Sequence, residues 1–326
     1  MNRIEKLQLR LRRLRTVRLI RLFTMKLRPW GFEGLSLYSV ATFFFEGLQK
    51  GALTTRAAAI SFRFFLAIFP VLIMLLSLIP VIPIADFQDD LFASIRDFFP
   101  GDTFSLVEET VADLINKSHN TLFSIGFVLS VFYASSSVNA VLQGFNESYN
   151  ISDKGNVVII RLISVLMVLI LSIFIFVAVI LIIFSGVTFE WLVAKGIVSS
   201  DDVILLEFAK WVISLLLIYA SITILYNVGD FEHRRWKTFS AGATLTTLLL
   251  IITSIGFAWF VNNFASYNKL YGSLGTFLLL MIWVNLNSNI LLIGFELNTS
   301  ILRAKVGRLH GGSVLEFTKE ADKLQD

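Results

Sequence analysis

The sequence predicts an all-α integral membrane protein with six transmembrane helices, both termini cytoplasmic, amphipathic N-terminal helices and a helical extracytoplasmic loop between spans one and two. Three observations predict it. The 326 residues are 56% hydrophobic and only 16% charged, with a mean hydropathy of +0.74, whereas a soluble domain carries roughly 45–50% apolar and about 25% charged residues. Six stretches are free of Asp, Glu, Lys and Arg and long enough to cross a hydrocarbon core, which takes about 20 apolar residues. Lys and Arg are also distributed unevenly between the connecting segments. This composition excludes a soluble domain, a disordered chain and a fibrous protein. With no Cys in the chain, disulfides, thiolate metal sites and thiol nucleophiles are excluded too.

The first 56 residues hold twelve Lys or Arg against three acids and form a basic cytoplasmic or interfacial segment. Leu7, Leu11 and Leu14 share one helical face beside Arg3, Lys6, Arg10 and Arg13, the pattern of a helix lying on anionic inner-leaflet headgroups. An Arg-rich start without an isolated apolar run and small-residue cleavage site is not a cleavable signal peptide. A second helix over about 34–50, with Leu35, Tyr38, Phe43, Phe44, Phe45 and Leu48, leads along the membrane into the first span.

The membrane domain is expected over 57–302, with spans at about 60–83, 121–145, 162–186, 209–229, 239–264 and 272–296. Pro70, Pro80 and Pro83 make the first span bent or short. The loop after it carries eight acids and only Arg96 and Lys117, so it lies outside by the positive-inside rule. Phe87, Leu91, Ile95 and Phe98, then Leu106, Thr110, Val111 and Leu114, fall at helical spacing there, and Ser105 with Glu108 has the form of a capping box. The short loop with Arg234, Arg235 and Lys237 and the tail 303–326 with five Lys or Arg lie inside.

Polar stripes locate the interior, because positions facing lipid are apolar. Ser135, Asn139 and Asn146 share a face of span two. Ser240, Thr244, Thr247 and Ser254 share one in span five, and Asn285, Asn289 and Glu296 share one in span six. Span three has almost no polar residues and faces lipid. Such stripes can simply hydrogen-bond helix to helix, at about 0.6 kcal/mol each. Three in one small bundle also fit a hydrated cavity formed by spans one, two, five and six. Arg63 and Glu296 are sharper signals, since a charge at membrane depth costs roughly 2.5–3.5 kcal/mol or more. Arg63 either snorkels to the inner headgroups, or faces a cavity where it holds an anionic headgroup or pairs with Glu296. Glu296 is alternatively an interfacial carboxylate with a structural role.

These residues resemble the YihY/BrkB family of bacterial inner-membrane proteins, once mislabelled as ribonuclease BN. The resemblance runs over about 40–303. It rests on Ala57-Ala58-Ala59-Ile60-Ser61-Phe62 with Phe69-Pro70, Ala134-Ser135 with Asn146 and Tyr149, Leu225-Tyr226, and Ser240-Ala241-Gly242-Ala243. Tyr267-Asn268-Lys269-Leu270-Tyr271-Gly272-Ser273-Leu274-Gly275, Trp283 and Gly294-Phe295-Glu296-Leu297-Asn298 complete it, and the first and last of these three are the most specific. Phe132 stands at the family's usual Trp, Ser136 where a basic residue is common, Arg63 for a frequent aromatic and Asp230 for a common Pro. The resemblance implies a six-helix inner-membrane protein with a role in the envelope, including lipid movement.

Enzymatic chemistry is not expected. His119, His233 and His310 sit in different loops, without the spacing of a metal site. No phosphate-binding glycine loop or dinucleotide fingerprint is present. No cofactor, metal or nucleic-acid partner is expected, and the old ribonuclease label finds no support in these residues. The partners expected are membrane lipids. Transport of a lipid or other anionic amphipath stands against two alternatives: a non-transporting envelope scaffold or accessory protein, and an ion-coupled small-solute transporter with Glu296 as proton carrier. The candidate cavity residues are Arg63, Ser135, Asn139, Asn146, Ser240, Thr244, Thr247, Asn285, Asn289 and Glu296.

Overall fold

The computed structural model describes residues 23–29, 31–50, 52–78, 120–148, 157–194, 200–230, 236–263 and 273–309. They form helices α1 (Leu37–Lys50), α2 (Leu53–Leu78), α3 (Asn120–Ser148), α4 (Val157–Ala194), α5 (Ser200–Gly229), α6 (Ala241–Asn263) and α7 (Ser273–Leu309), with no strand among the described residues. Helices α2 to α7 supply the six spans. The basic helix at the N-terminus, the acidic loop with its expected helices, Pro80, Pro83, Tyr267 to Gly272 and the three His residues lie outside the described residues.

Three span boundaries differ from the sequence expectation for one reason. The apolar window of α2 starts at Leu53 and that of α7 ends at Val306, while α4 starts at Val157. A search bounded by charges stops at Arg63, Arg161 and Glu296. The helices continue through these residues because each finds partners on a neighbouring helix or turn. Helix α2 also runs unbroken through Pro70.

Helix α1 starts behind Ser36, whose Oγ accepts the Ser39 N–H at 3.3 Å, as an N-cap does. Its Val40, with Leu35 before it, packs on Ile301 and Ala304 near the end of α7. The larger core lies where α2 to α7 converge, with Met167 as the contribution of α4. Phe145 of α3 stacks on Phe295 of α7, with ring centroids 4.0 Å apart and planes 9° off parallel. Tyr226 of α5 meets both rings edge-on, at 5.4 and 5.5 Å. Such aromatic pairs add about 0.5–1.5 kcal/mol beyond the area they bury. Helix α4 packs on α3 and α5. Its Ser164 and Met167 point inward while Leu162, Leu166, Ile173 and Phe176 are exposed, the lipid-facing surface expected of span three.

Candidate functional site

An ionic centre joins α1, α2, α3 and α7 at the end of the bundle where α2 begins. Glu296 of α7 is 1% exposed. Its Oε1 lies 3.4 Å from Nη1 of Arg303, two turns further along the same helix, and Ser148 stands beside the carboxylate. Arg56 of α2, also buried, stands within electrostatic reach of Glu296. Its Nη1 donates to Gly144 O at 2.6 Å and to Ser148 Oγ at 3.1 Å, and its Nε lies 3.6 Å from Glu147 Oε2. Arg303 Nη2 closes the ring by donating to Ser148 O. Ser148 therefore ties both arginines together beside the carboxylate. Four residues here keep buried polar atoms without a hydrogen-bond partner among the described residues: Arg56 (Nε, Nη2), Glu296 (Oε2), Asn146 (Oδ1) and Ser300 (Oγ). The Arg63–Glu296 pair, one of the readings the sequence left open, is not formed; Arg303 pairs with Glu296 and Arg56 stands near it.

A polar seam runs outward from this centre between α2 and α7. Ser61 Oγ accepts from Asn285 Nδ2 at 3.2 Å and donates to Ser288 Oγ at 3.4 Å. Asn289 Nδ2 donates back to Asn285 O at 2.8 Å. Beside it, the Tyr226 hydroxyl donates to Leu291 O at 2.7 Å and lies 2.5 Å from Thr246 Oγ1. The backbones of α6 and α7 touch at Gly242 and Gly294, where a side chain on either would overlap the opposite helix. Asn298 Oδ1 accepts the Gly242 N–H at 2.8 Å, and its Nδ2 donates to Ser240 Oγ at 3.1 Å.

The other candidates are dispersed. Ser135 is buried and donates to Phe132 O at 3.0 Å, whereas Asn139 accepts from Gln143 at 3.4 Å on an exposed edge. Ser240 caps α6 by accepting the Ala243 N–H at 3.1 Å. Thr247 is buried and bonds to Ala243 O, while Thr244 is exposed, so the span-five stripe does not share one buried face. Thr246, Tyr226 and Asn298 are polar members of the packed interior that the stripe pattern missed.

Arg63 stands apart from the ionic centre. Its Nη1 donates to Ser136 O on α3 at 3.4 Å. Arg161 of α4 reaches the same turn: Nη1 donates to Ser136 Oγ at 2.9 Å, Nη2 to Phe132 O at 3.1 Å, and the guanidinium lies 4.7 Å from the Phe132 ring centroid. Neither arginine has a carboxylate partner among the described residues. In the sequence Arg161 shows only as the charge bounding span three; its place beside Arg63 is set by contacts with α3.

The contacts place this pair along the helices. Asn298 is level with the first turn of α6, and Ser288, beside Ser61, lies ten residues back along α7. At 1.5 Å per residue that is about 15 Å along α7. Arg63 is a further two residues along α2, ten beyond its start at Leu53, and Arg161 lies four residues beyond the start of α4 at Val157. Among the described residues no group of three or more His, Cys, Asp or Glu is gathered as a metal would require.

With this architecture in place, comparison with known proteins defines the class. The family described as virulence factor BrkB matches residues 44–313, and the chain belongs to it. It is 28% identical to the ribonuclease-like protein YfkH of Bacillus subtilis (strain 168) over 253 residues, 77% of this chain and 90% of the relative. It is 20% identical over 282 residues to a UPF0761 membrane protein of Aggregatibacter aphrophilus (strain NJ8700), 85% of this chain and 97% of the relative. A UPF0761 membrane protein of Mannheimia succiniciproducens is 20% identical over 266 residues, 79% and 88% of the two chains. No solved structure matches significantly. Family and spans together make this a multi-pass bacterial inner-membrane protein.

Proposed function

We propose that the chain is an inner-membrane transporter or flippase for a lipid or other anionic amphipath, working in envelope maintenance, without a cofactor and without enzymatic chemistry. One observation carries this: Arg63 lies within the span of α2, half-buried, without a carboxylate partner among the described residues. A permanent cation inside a span is costly, and Arg56 and Arg303 at the end of the bundle are paired with carboxylates. A headgroup that crosses the bilayer needs a polar foothold on the way, and Arg63 offers one. The ends of the chain belong on the cytoplasmic side in this reading, with Lys237 and Lys305 at anionic headgroups.

The ionic centre supports a second reading, ion coupling at Glu296, because its Oε2 has no hydrogen-bond partner among the described residues and is free to take up a proton. The test is translocation of headgroup-labelled anionic and zwitterionic lipids in proteoliposomes. Protein-dependent translocation lost in Arg63→Ala supports lipid movement. Folded wild-type protein with no activity above empty liposomes for any lipid overturns it in favour of a scaffold. Activity lost in Glu296→Gln and driven by a pH gradient supports the coupling reading.

A further inference from the structure

We propose that Arg63, Arg161 and the Ser136 hydroxyl form a binding site for the phosphate of a phospholipid, entered sideways from the membrane between α2, α3 and α4. This rests on the transport reading for its purpose, and it names the group recognised and a second cation that recognises it. Two guanidiniums from different spans converge on one turn of α3. Like charges brought together in a low-dielectric setting repel, and no described carboxylate relieves them. A bound anion would. The three hydrogen bonds hold the two groups in place yet use only part of their N–H donors, and guanidinium forks match phosphate oxygens in geometry. Ser136 Oγ accepts from Arg161, which leaves its own hydrogen to donate to a phosphate oxygen.

The surroundings fit a lipid rather than a soluble anion. Phe62 of α2, Phe132 of α3, and Val158 and Leu162 of α4 are all more than half exposed around the pair, and on the outer faces of spans such side chains meet acyl chains. The Phe132 ring under Arg161 shields the cation from hydrocarbon on one side. A free phosphate would have to enter between these apolar side chains without a tail to carry it. A phospholipid brings its phosphate attached to chains that pack on these side chains.

The test is lipid binding by full-length protein in detergent, read as retained phosphatidylglycerol by native mass spectrometry, with phosphatidylcholine and inorganic phosphate as further probes. Losing the charge-assisted hydrogen bonds of both arginines lowers affinity by at least about tenfold. The expected result is that weakening in Arg63→Gln/Arg161→Gln, with partial retention in the single Arg→Lys variants, which keep the charge but lose the fork. Undiminished phosphatidylglycerol binding in the double variant overturns the proposal. If that variant does not fold, the single lysine variants decide, and binding equal to wild type in both overturns it. Displacement of lipid by millimolar inorganic phosphate would assign the site to a free anion and also overturn it. Binding is read here without translocation, so a wild-type protein that binds but does not translocate overturns the transport function alone.

Discussion

The Glu296 carboxylate of α7 rests against the Cα of Gly47 on α1, so that a Cβ added at Gly47 would overlap Oε1. That contact fixes α1 over the ionic centre and leaves the carboxylate only 1% exposed. A buried carboxylate needs compensation, and here it comes from Arg303 and the field of Arg56.

Gly47→Ala is therefore expected to lower stability. Mid-helix Gly→Ala ordinarily adds up to about 1 kcal/mol through helix propensity, but overpacking costs about 1–3 kcal/mol. Gly256 of α6 is the internal control, because nothing lies within 4 Å of a Cβ placed there. Thermal unfolding in detergent should show Gly256→Ala unchanged or raised and Gly47→Ala lowered. Equal effects would mean that Glu296 does not sit against α1.

Breaking the ionic centre should cost more. Glu296→Gln leaves Arg56 buried with a weakened counter-charge, and removing one partner of a buried pair costs about 3–5 kcal/mol. The double variant Glu296→Gln/Arg303→Gln should cost less than the sum of the singles, with a coupling of about 0.5–3 kcal/mol. Additive losses in a double-mutant cycle would contradict the pairing.

Tyr226→Phe removes one hydroxyl between two elements. Thr246, fully buried, loses the group 2.5 Å from its Oγ1, and Leu291 O loses a donor at 2.7 Å. Leaving buried polar groups unpaired costs about 1–3 kcal/mol. A fall in unfolding temperature with helix content unchanged is the expected outcome; a temperature equal to wild type would contradict it.

At the membrane surface, Glu33 accepts from Lys237 and Lys305, both at 2.5 Å. These two hydrogen bonds hold its carboxyl below the ordinary value of 4.5. A carboxylate lowered in the folded state contributes stability that is present above its unfolded pKa and is lost as pH falls through the folded one. All three side chains are substantially exposed, so the contribution is only about 0–1 kcal/mol. Titrating unfolding temperature from neutral pH to below 4.5 should show a slightly steeper fall for wild type than for Glu33→Gln. Parallel curves would contradict the clasp.

The spans were legible because a run of some 20 apolar residues has no alternative in a bilayer, and α4 shows this most plainly. What was not legible depended on tertiary partners. Arg56 read as the end of the basic segment and Arg161 as a span boundary, because their acceptors, Gly144 O and Ser136 Oγ, lie 88 and 25 residues away. Thr244 and Thr247 are neighbours by helical arithmetic, yet only Thr247 is buried: the arithmetic gives relative angles, and the packing of α6 on α7 at Gly242 and Gly294 sets which angle points inward. Glu296 was recognised as significant, but its partners were not Arg63, because α7 places Arg303 two turns away on its own face.

The most direct measurement is translocation of labelled phosphatidylglycerol by reconstituted wild type, Arg63→Gln and Arg161→Gln, each checked for folding. Wild-type activity above empty liposomes, reduced by both single substitutions, is predicted. Wild-type activity untouched by either substitution would contradict a passage that runs by the Ser136 turn, and no wild-type activity would contradict transport itself.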